Sequence, residues 1–266
     1  MSLSGATSLA SLDGEIMPAS AATISVTDDG LVRGDGAFEV IRVYDGLAFA
    51  MDEHLARLQR SGRNLRLAID LEAVRADANR LLARAGPGQD HECLRIMITR
   101  GGRRILLTEP LPPVCDQARC KTITYAPTRI LDGIKSLSYA SNMLARRLAQ
   151  EQGFDEALLV TPHGRVLEGQ TNSVFWVRDG ELFTPSLEDH ILASITRAMI
   201  IELTGAMERP CTLQDLTAAE EVFLASTVRE VQPVSAVDEH PYAAPGPVTE
   251  RAAAAAAQRI RSELDS

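Results

Sequence analysis

Two lysines, Lys121 and Lys135, stand among 25 arginines in this chain of 266 residues. Arginine does most of the surface work of lysine, but its guanidinium keeps its proton at neutral pH and forms no imine. A lysine in so arginine-rich a chain is a candidate for amine chemistry, with an incidental surface lysine as the alternative. Lys135 is followed by a carboxylate, Glu168, at a strand end before a Gly-Gln-Thr-Asn turn. Imine chemistry of the pyridoxal phosphate kind makes three demands. It needs a lysine for the aldehyde, a group facing the pyridine nitrogen, and a cradle for the phosphate.

The chain offers each part. Lys135 is the amine and Glu168 the carboxylate. Ser194-Ile195-Thr196 opens a helix whose first N–H groups have no intrahelical partner, the usual way to hold an anion. Ser226-Thr227 ends a strand with two adjacent hydroxyls, and Arg57 lies on a helix in the first half. Taken singly these are weak signals. A Ser/Thr helix start is more often a plain cap, a strand-end Ser-Thr is usually a turn, and a lone Glu or helical Arg is usually a solvated face.

The elements that must position these residues can be read from periodicity and turn chemistry. Residues 23–26 (TISV) and 38–44 (FEVIRVY) read as strands, and Asp45-Gly46 is a hairpin signal leading into LAFAM. Asp52 is placed as the N-cap of a helix carrying Leu55, Leu58 and Leu65, and a second helix covers 71–85 before Gly86-Pro87-Gly88. Residues 92–100 read as a strand, Gly101-Gly102-Arg103-Arg104 as a basic turn, and 108–118 as a Pro-rich connector. CKTITYAP is a strand, and 127–135 is irregular. A helix over 141–152 ends at Gly153, followed by strands EALLV, RVLE, TNSVFWV and ELFTP with turns at His163-Gly164 and Asp179-Gly180. Ser194 caps a helix closed by Gly205, EVFLAST and EVQPVSAV are further strands, and 248–264 is a terminal helix. Short hairpin-linked strands with helices interleaved, but no strict βαβ alternation, predict an α+β fold with mixed or antiparallel sheets. The division into domains is placed at 1–127 and 128–266.

Composition narrows the partners. The chain is 45% hydrophobic and 24% charged with formal net charge −9, and its pI is about 5.1. That balance disfavours nucleic-acid and anionic membrane surfaces. No run of about 18 apolar residues suggests a membrane span. Residues 1–15 have neither the basic nor the apolar region of a secretory signal. GDG at 34–36 is not a dinucleotide fingerprint, because GxGxxG is absent. Cys93, Cys115, Cys120 and Cys211 form no CxxC and no zinc spacing, so no metal is expected, and they read as thiols of a cytoplasmic protein.

The order of the segments is more specific than any one of them. RGDGAFEVIRVYDG, DEHLARL, KSLSYASNMLARRLA, DEALLVTPHGRVLEGQTNSVFWV, ILASITRAMI and EVFLASTVREVQPV follow one another from about Thr27 to Val237. In this order they resemble the class IV (fold type IV) pyridoxal-phosphate aminotransferases. That family takes in branched-chain and D-amino acid aminotransferases, R-selective amine transaminases and aminodeoxychorismate lyase.

The resemblance implies a two-domain, D-amino acid aminotransferase-like fold with pyridoxal 5'-phosphate between a smaller N-terminal and a larger C-terminal domain. It implies that Lys135 forms the internal aldimine and shuttles the proton, with Glu168 on the pyridinium nitrogen. Arg57, Ser194, Ile195, Thr196, Ser226 and Thr227 fall to the phosphate, and Tyr139 lies near the phenolic oxygen. Lys121, inside a strand pattern, is left as the ordinary lysine. The phosphate-helix block departs from the family's usual Leu-Pro-Gly-Ile-Thr-Arg in having Ala193 and Ser194, and serine keeps the cap chemistry. Arg33 stands where branched-chain enzymes tend to carry a tyrosine. Arg33, Arg95, Arg103 and Arg104 are candidates to hold a substrate carboxylate, with plain surface arginines as the alternative.

The implied activity moves an amino group between a branched-chain-like amino acid and a 2-oxo acid. The alternative is aminodeoxychorismate lyase, giving 4-aminobenzoate and pyruvate. A non-catalytic binding relative is a remote third reading. Members of the family are commonly homodimers, so a homodimer is expected.

Overall fold

The computed structural model describes residues 8–265. Residues 1–7, part of the stretch read as lacking a secretory signal, lie outside the described residues. The chain forms two compact units, one of residues 8–113 with Gly133–Tyr139, the other of Val114–Asp132 with Ala140–Asp265.

The first unit is a six-stranded sheet under two helices. Its strands are β1 (Leu9–Leu12), β2 (Glu15–Pro18), β3 (Gly36–Tyr44), β4 (Leu47–Ala48), β5 (Cys93–Thr99) and β6 (Arg104–Glu109). They lie in the order β2-β1-β6-β5-β3-β4, antiparallel throughout. A short helix, α1 (Asp29–Val32), precedes β3. The covering helices are α2 (Met51–Leu65) and α3 (Leu71–Ala85). Leu55 and Leu58 of α2 and Val74, Ala78 and Leu81 of α3 pack with Ile41, Leu94, Ile96 and Leu106 of the sheet.

Three expectations fail in this unit. TISV forms no strand: no ladder is available to residues 23–26, and Val26 is 79% exposed. Asp52 is not the N-cap of α2. Ala50 occupies that position in a left-handed conformation without a side-chain bond, and Asp52 instead pairs with Arg75 on α3. LAFAM contributes only Leu47–Ala48, because Phe49 and Ala50 already turn into α2.

The second unit is a mixed sheet of ten strands. Along the chain come β7 (Ala118–Thr124), α4 (Ala140–Glu151), β8 (Glu156–Val160), β9 (Arg165–Gly169), β10 (Ser173–Arg178) and β11 (Glu181–Thr184). Then follow α5 (Ile195–Thr204), β12 (Met207–Glu208), β13 (Cys211–Thr212), α6 (Leu213–Thr217), β14 (Glu221–Ser226), β15 (Glu230–Val237), β16 (His240–Pro241) and α7 (Pro247–Leu264). The order is β12-β11-β10-β14-β15-β7-β8-β9-β13, with β16 on β15. β7 runs parallel to both β15 and β8, while β8–β9 and β10–β14–β15 are antiparallel. Trp176, Phe175 and Phe223 are fully buried at its centre, the two phenylalanines stacked at 4.8 Å. The mixed sheets and helices give the α+β class expected from the sequence.

The first division falls at Pro113, within the Pro-rich connector, ahead of the 127/128 boundary expected from composition. β7 belongs with the second unit because its N–H and C=O groups are used by β8 and β15. The segment Gly133–Tyr139 returns to the first unit along the free edge of β3. Phe38 N–H donates to Lys135 O at 3.0 Å and Leu137 N–H to Gly36 O at 2.9 Å. Gly36 permits this approach, since a Cβ there would overlap Ile98 O and the Leu137 side chain.

Candidate active site

Lys135 is positioned by its backbone. Its N–H donates to Ser61 Oγ on α2 at 3.1 Å and its carbonyl accepts from Phe38 on β3. The Nζ then lies 4.5 Å from the centroid of the Phe38 ring and 5.6 Å from that of Tyr139. The two rings meet edge to face at 5.1 Å. An amine against aromatic faces is held by the ring quadrupoles and by a partly apolar shell, while the chain around it is fixed.

Behind this amine is a buried charged network that the sequence reading missed. Glu39 on β3 is 0% exposed. Arg57 donates to it twice, Nε to Oε1 at 2.7 Å and Nη2 to Oε2 at 2.6 Å, and His54 Nδ1 lies 2.8 Å from Oε2. Burial pushes the Glu39 carboxyl up, but the charge and hydrogen bonds of Arg57 and then His54 outweigh it and hold the pKa at about 2. Burial lowers the His54 pKa against the pull of Glu39. His54 is thus neutral near pH 7 and donates from Nδ1. The signal was present: His54 and Arg57 are three residues apart on one helical face, and Glu39 interrupts an apolar strand. Arg57, Lys135 and Tyr139, all singled out from the sequence, come together in this unit.

In the second unit Glu168 lies near the end of β9, where the Leu192 N–H donates to Oε2 at 3.3 Å. Gly169 follows, and a Cβ there would displace the Asn172 side-chain amide. Leu192 leads directly into α5. Ser194 is its N-cap, Oγ accepting from Arg197 N–H at 3.3 Å, and Gly205 closes it in a left-handed conformation. Ser194, Ile195 and Thr196 are thereby tied to Glu168 through two residues of chain. Among the described residues no acceptor is bonded to the N–H of Ile195 or Thr196. Ser226 and Thr227 lie at the turn joining β14 to β15, where Ser226 Oγ accepts from Arg229 N–H at 3.3 Å.

The four arginines considered for a substrate carboxylate all have carboxylate partners. Arg33 pairs with Asp29, Arg95 with Glu109 at 2.8 Å, Arg103 with Asp13 at 2.7 Å and Arg104 with Asp77. Glu109 and Asp77 are buried, while the Arg33 side chain is 70% exposed.

Within the second unit the donors suit a phosphate monoester on a nitrogen heterocycle, with two open N–H groups and hydroxyls for the anion and a carboxylate for a ring nitrogen; the first unit offers an amine of the kind that takes an aldehyde. The chain matches the family model of amino-transferase class IV over residues 36–237. It belongs to the class IV aminotransferases. A putative branched-chain-amino-acid aminotransferase of Methanocaldococcus jannaschii is 34% identical, with 85% of this chain and 87% of that one covered. The D-alanine aminotransferase of Bacillus licheniformis is 31% identical over 94% and 96%.

Among solved structures, a hypothetical aminotransferase from Mycobacterium tuberculosis with α-ketoglutarate and PMP bound superposes with a TM-score of 0.87. It is 26% identical, over 96% of this chain and 99% of that one. The 4-amino-4-deoxychorismate lyase of Pseudomonas aeruginosa superposes with a TM-score of 0.82, at 30% identity over 97% and 100%. This class IV aminotransferase has the fold-type-IV fold and uses pyridoxal 5'-phosphate. It is an enzyme of transamination between amino acids and oxo acids. Among the described residues no helix is long and apolar enough to cross a membrane.

Proposed function

We propose that Lys135 is the catalytic amine of this aminotransferase and that its donors are branched-chain-like amino acids, with a 2-oxo acid as acceptor. The observation that carries the assignment is Lys135 Nζ set over the Phe38 and Tyr139 rings by a segment anchored on Ser61 and β3. Pyridoxal phosphate, when bound, supplies an aldehyde that takes up an amine and a ring that accepts the electron pair of an adjacent carbanion. Lys135 holds the cofactor at rest. As a free amine its Nζ would be the base that takes the Cα proton of the donor and the acid that gives it back. Glu168 keeps a proton on the ring nitrogen, and Tyr139 donates toward the phenolic oxygen. Arg57, Ser194, Ile195, Thr196, Ser226 and Thr227 hold the phosphate, with Glu39 and His54 fixing Arg57.

For the substrate side chain, three candidate arginines are engaged where a free cation would be wanted: Arg95 and Arg104 with buried carboxylates, Arg103 with Asp13. That supports an apolar donor. Arg33, whose pairing with Asp29 is exposed, is the one we assign to a substrate carboxylate. The lyase reading keeps one supporting observation, the likeness to the P. aeruginosa lyase. We also propose a cytoplasmic homodimer. Three of the four free cysteines are buried, and α4 exposes Leu144 and Leu148 one turn apart.

The deciding assay supplies valine, leucine or alanine, in L and D forms, with 2-oxoglutarate and measures glutamate. Glutamate formed fastest from a branched-chain donor is the expected result. Pyruvate released from aminodeoxychorismate without an oxo-acid acceptor, and no glutamate from any donor, overturns it.

A further inference from the structure

In the second unit two turns carry cofactor assignments, 169–172 beside Glu168 and 227–229 beside Ser226 and Thr227. A single buried side chain touches both. Glu156, first residue of β8, is 2% exposed. Its Oε1 faces Arg229 Nη2 at 2.5 Å and Arg146 Nη2 at 3.8 Å. Its Oε2 accepts from Gln170 Nε2 and, at 3.4 Å, from Asn172 Nδ2. Gln170 is buried and locked to the same strand, its Oε1 accepting from Ala157 N–H at 2.8 Å and its N–H donating to Ala157 O at 3.1 Å. Arg229, on the other turn, also reaches Gln232 Oε1 at 3.2 Å.

Ala157, Leu158 and Leu159 beside it on β8 are at most 1% exposed. A carboxylate in such a setting is costly to bury unless its oxygens are fully bonded. A carboxylate offers two acceptor oxygens and no donor, whereas an amide offers one acceptor. Only the carboxylate can therefore serve both turns at once.

We propose that Glu156 is a positioning residue of the cofactor site, holding the Glu168 turn with one oxygen and the Ser226–Thr227 turn with the other. The proposal rests on the cofactor assignments above. It requires that an amide at 156 release one turn and loosen the cofactor. Moving the charge should repair this. In E156Q/Q170E the residue-156 amide donates to the carboxylate at 170 while its oxygen accepts from Arg229, which restores a bond to each turn and gives up only the longer contact to Asn172 Nδ2.

The experiment measures the dissociation constant of pyridoxal phosphate by titrating apoprotein, together with the thermal midpoint of the apoprotein. E156Q is expected to bind about tenfold or more weakly, the size of one lost bond to a charged group, and E156Q/Q170E to recover to within about threefold of wild type. A purely structural role would lower the apoprotein midpoint and leave the dissociation constant unchanged, and that result overturns the proposal. A swap no better than E156Q overturns it too. If E156Q does not fold, the swap decides: recovery of folding and binding supports the proposal, and failure of either sinks it. Wild-type apoprotein that takes up no cofactor overturns the cofactor reading itself, an outcome distinct from normal uptake by E156Q.

Discussion

The two lysines have similar neighbours by type and opposite surroundings by arrangement. Lys121 lies on β7 with its Nζ 2.9 Å from Asp238 Oδ1 and 5.4 Å from the Phe154 ring. Asp238 is at the same time occupied by the Thr122 N–H and hydroxyl. Lys121 is thus the cation of a half-exposed ion pair that pins a strand end. Lys135 also has an aromatic ring beside it, but its segment is a guest on the edge of β3. The carboxylate behind it, Glu39, is already taken by Arg57 and His54. Residue type is the same in the two places. What differs is the setting: Lys121 lies within a strand beside Asp238, whereas Lys135 lies on an irregular segment over the Phe38 and Tyr139 rings.

The largest expected effect of breaking this contrast is at the lysines themselves. Lys135→Ala should lower transamination by more than about a thousandfold, as loss of a covalent catalytic group does, while Lys121→Ala stays within about twofold. The Lys135 backbone bonds to Ser61 and Phe38 do not depend on its side chain, so circular dichroism of Lys135→Ala should match wild type. Next is Glu39→Gln, which leaves Arg57 buried without its counter-charge. Denaturant unfolding should show a loss of about 3–5 kcal/mol. Lys121→Ala, which breaks a half-exposed pair, should cost about 1 kcal/mol or less.

A third effect is in pH. His54 has a lowered pKa in the fold, so the unfolded chain binds its proton first as pH falls through its ordinary value of 6.5. Stability supplied by neutral His54 is present above that value and is lost below it. Glu39, held at about 2 against an ordinary 4.5, contributes stability that is present above pH 4.5 and lost between there and 2. The thermal midpoint should fall from pH 7 toward 5, and more gently in His54→Gln. An equal slope in the two proteins contradicts the assignment. The smallest effect is at the rings. Phe38→Leu should weaken the hold on Lys135 by about 0.5–1 kcal/mol and slow turnover a few-fold, whereas Phe154→Leu beside Lys121 should leave turnover unchanged.

Much of the scaffold was legible because it depends on local chemistry. The helix over 71–85 ends where Gly86 stands, and Ser194 and Gly205 bracket α5 as cap and stop. The β1–β2 hairpin went unread although Asp13-Gly14 carries the same turn signal as Asp45-Gly46. TISV has strand composition but no partner, and pairing is not a local property. The lysine, Glu168 and the phosphate segments stood out through their order along the chain. Glu39 and Glu156 did not, because a buried carboxylate looks like a solvated one until the strands around it are placed. The arginine pairs were hidden for the same reason: Arg104 and Asp77 are far apart in sequence and joined only by α3 packing on β6.

The central claim is that Lys135, and not Lys121, holds the cofactor. Borohydride reduction of the pyridoxal phosphate-loaded enzyme, followed by peptide mass mapping, tests it directly. One phosphopyridoxyl adduct per chain is expected, on the peptide containing Lys135. An adduct on Lys121, or a reduced enzyme with no labelled lysine, contradicts it.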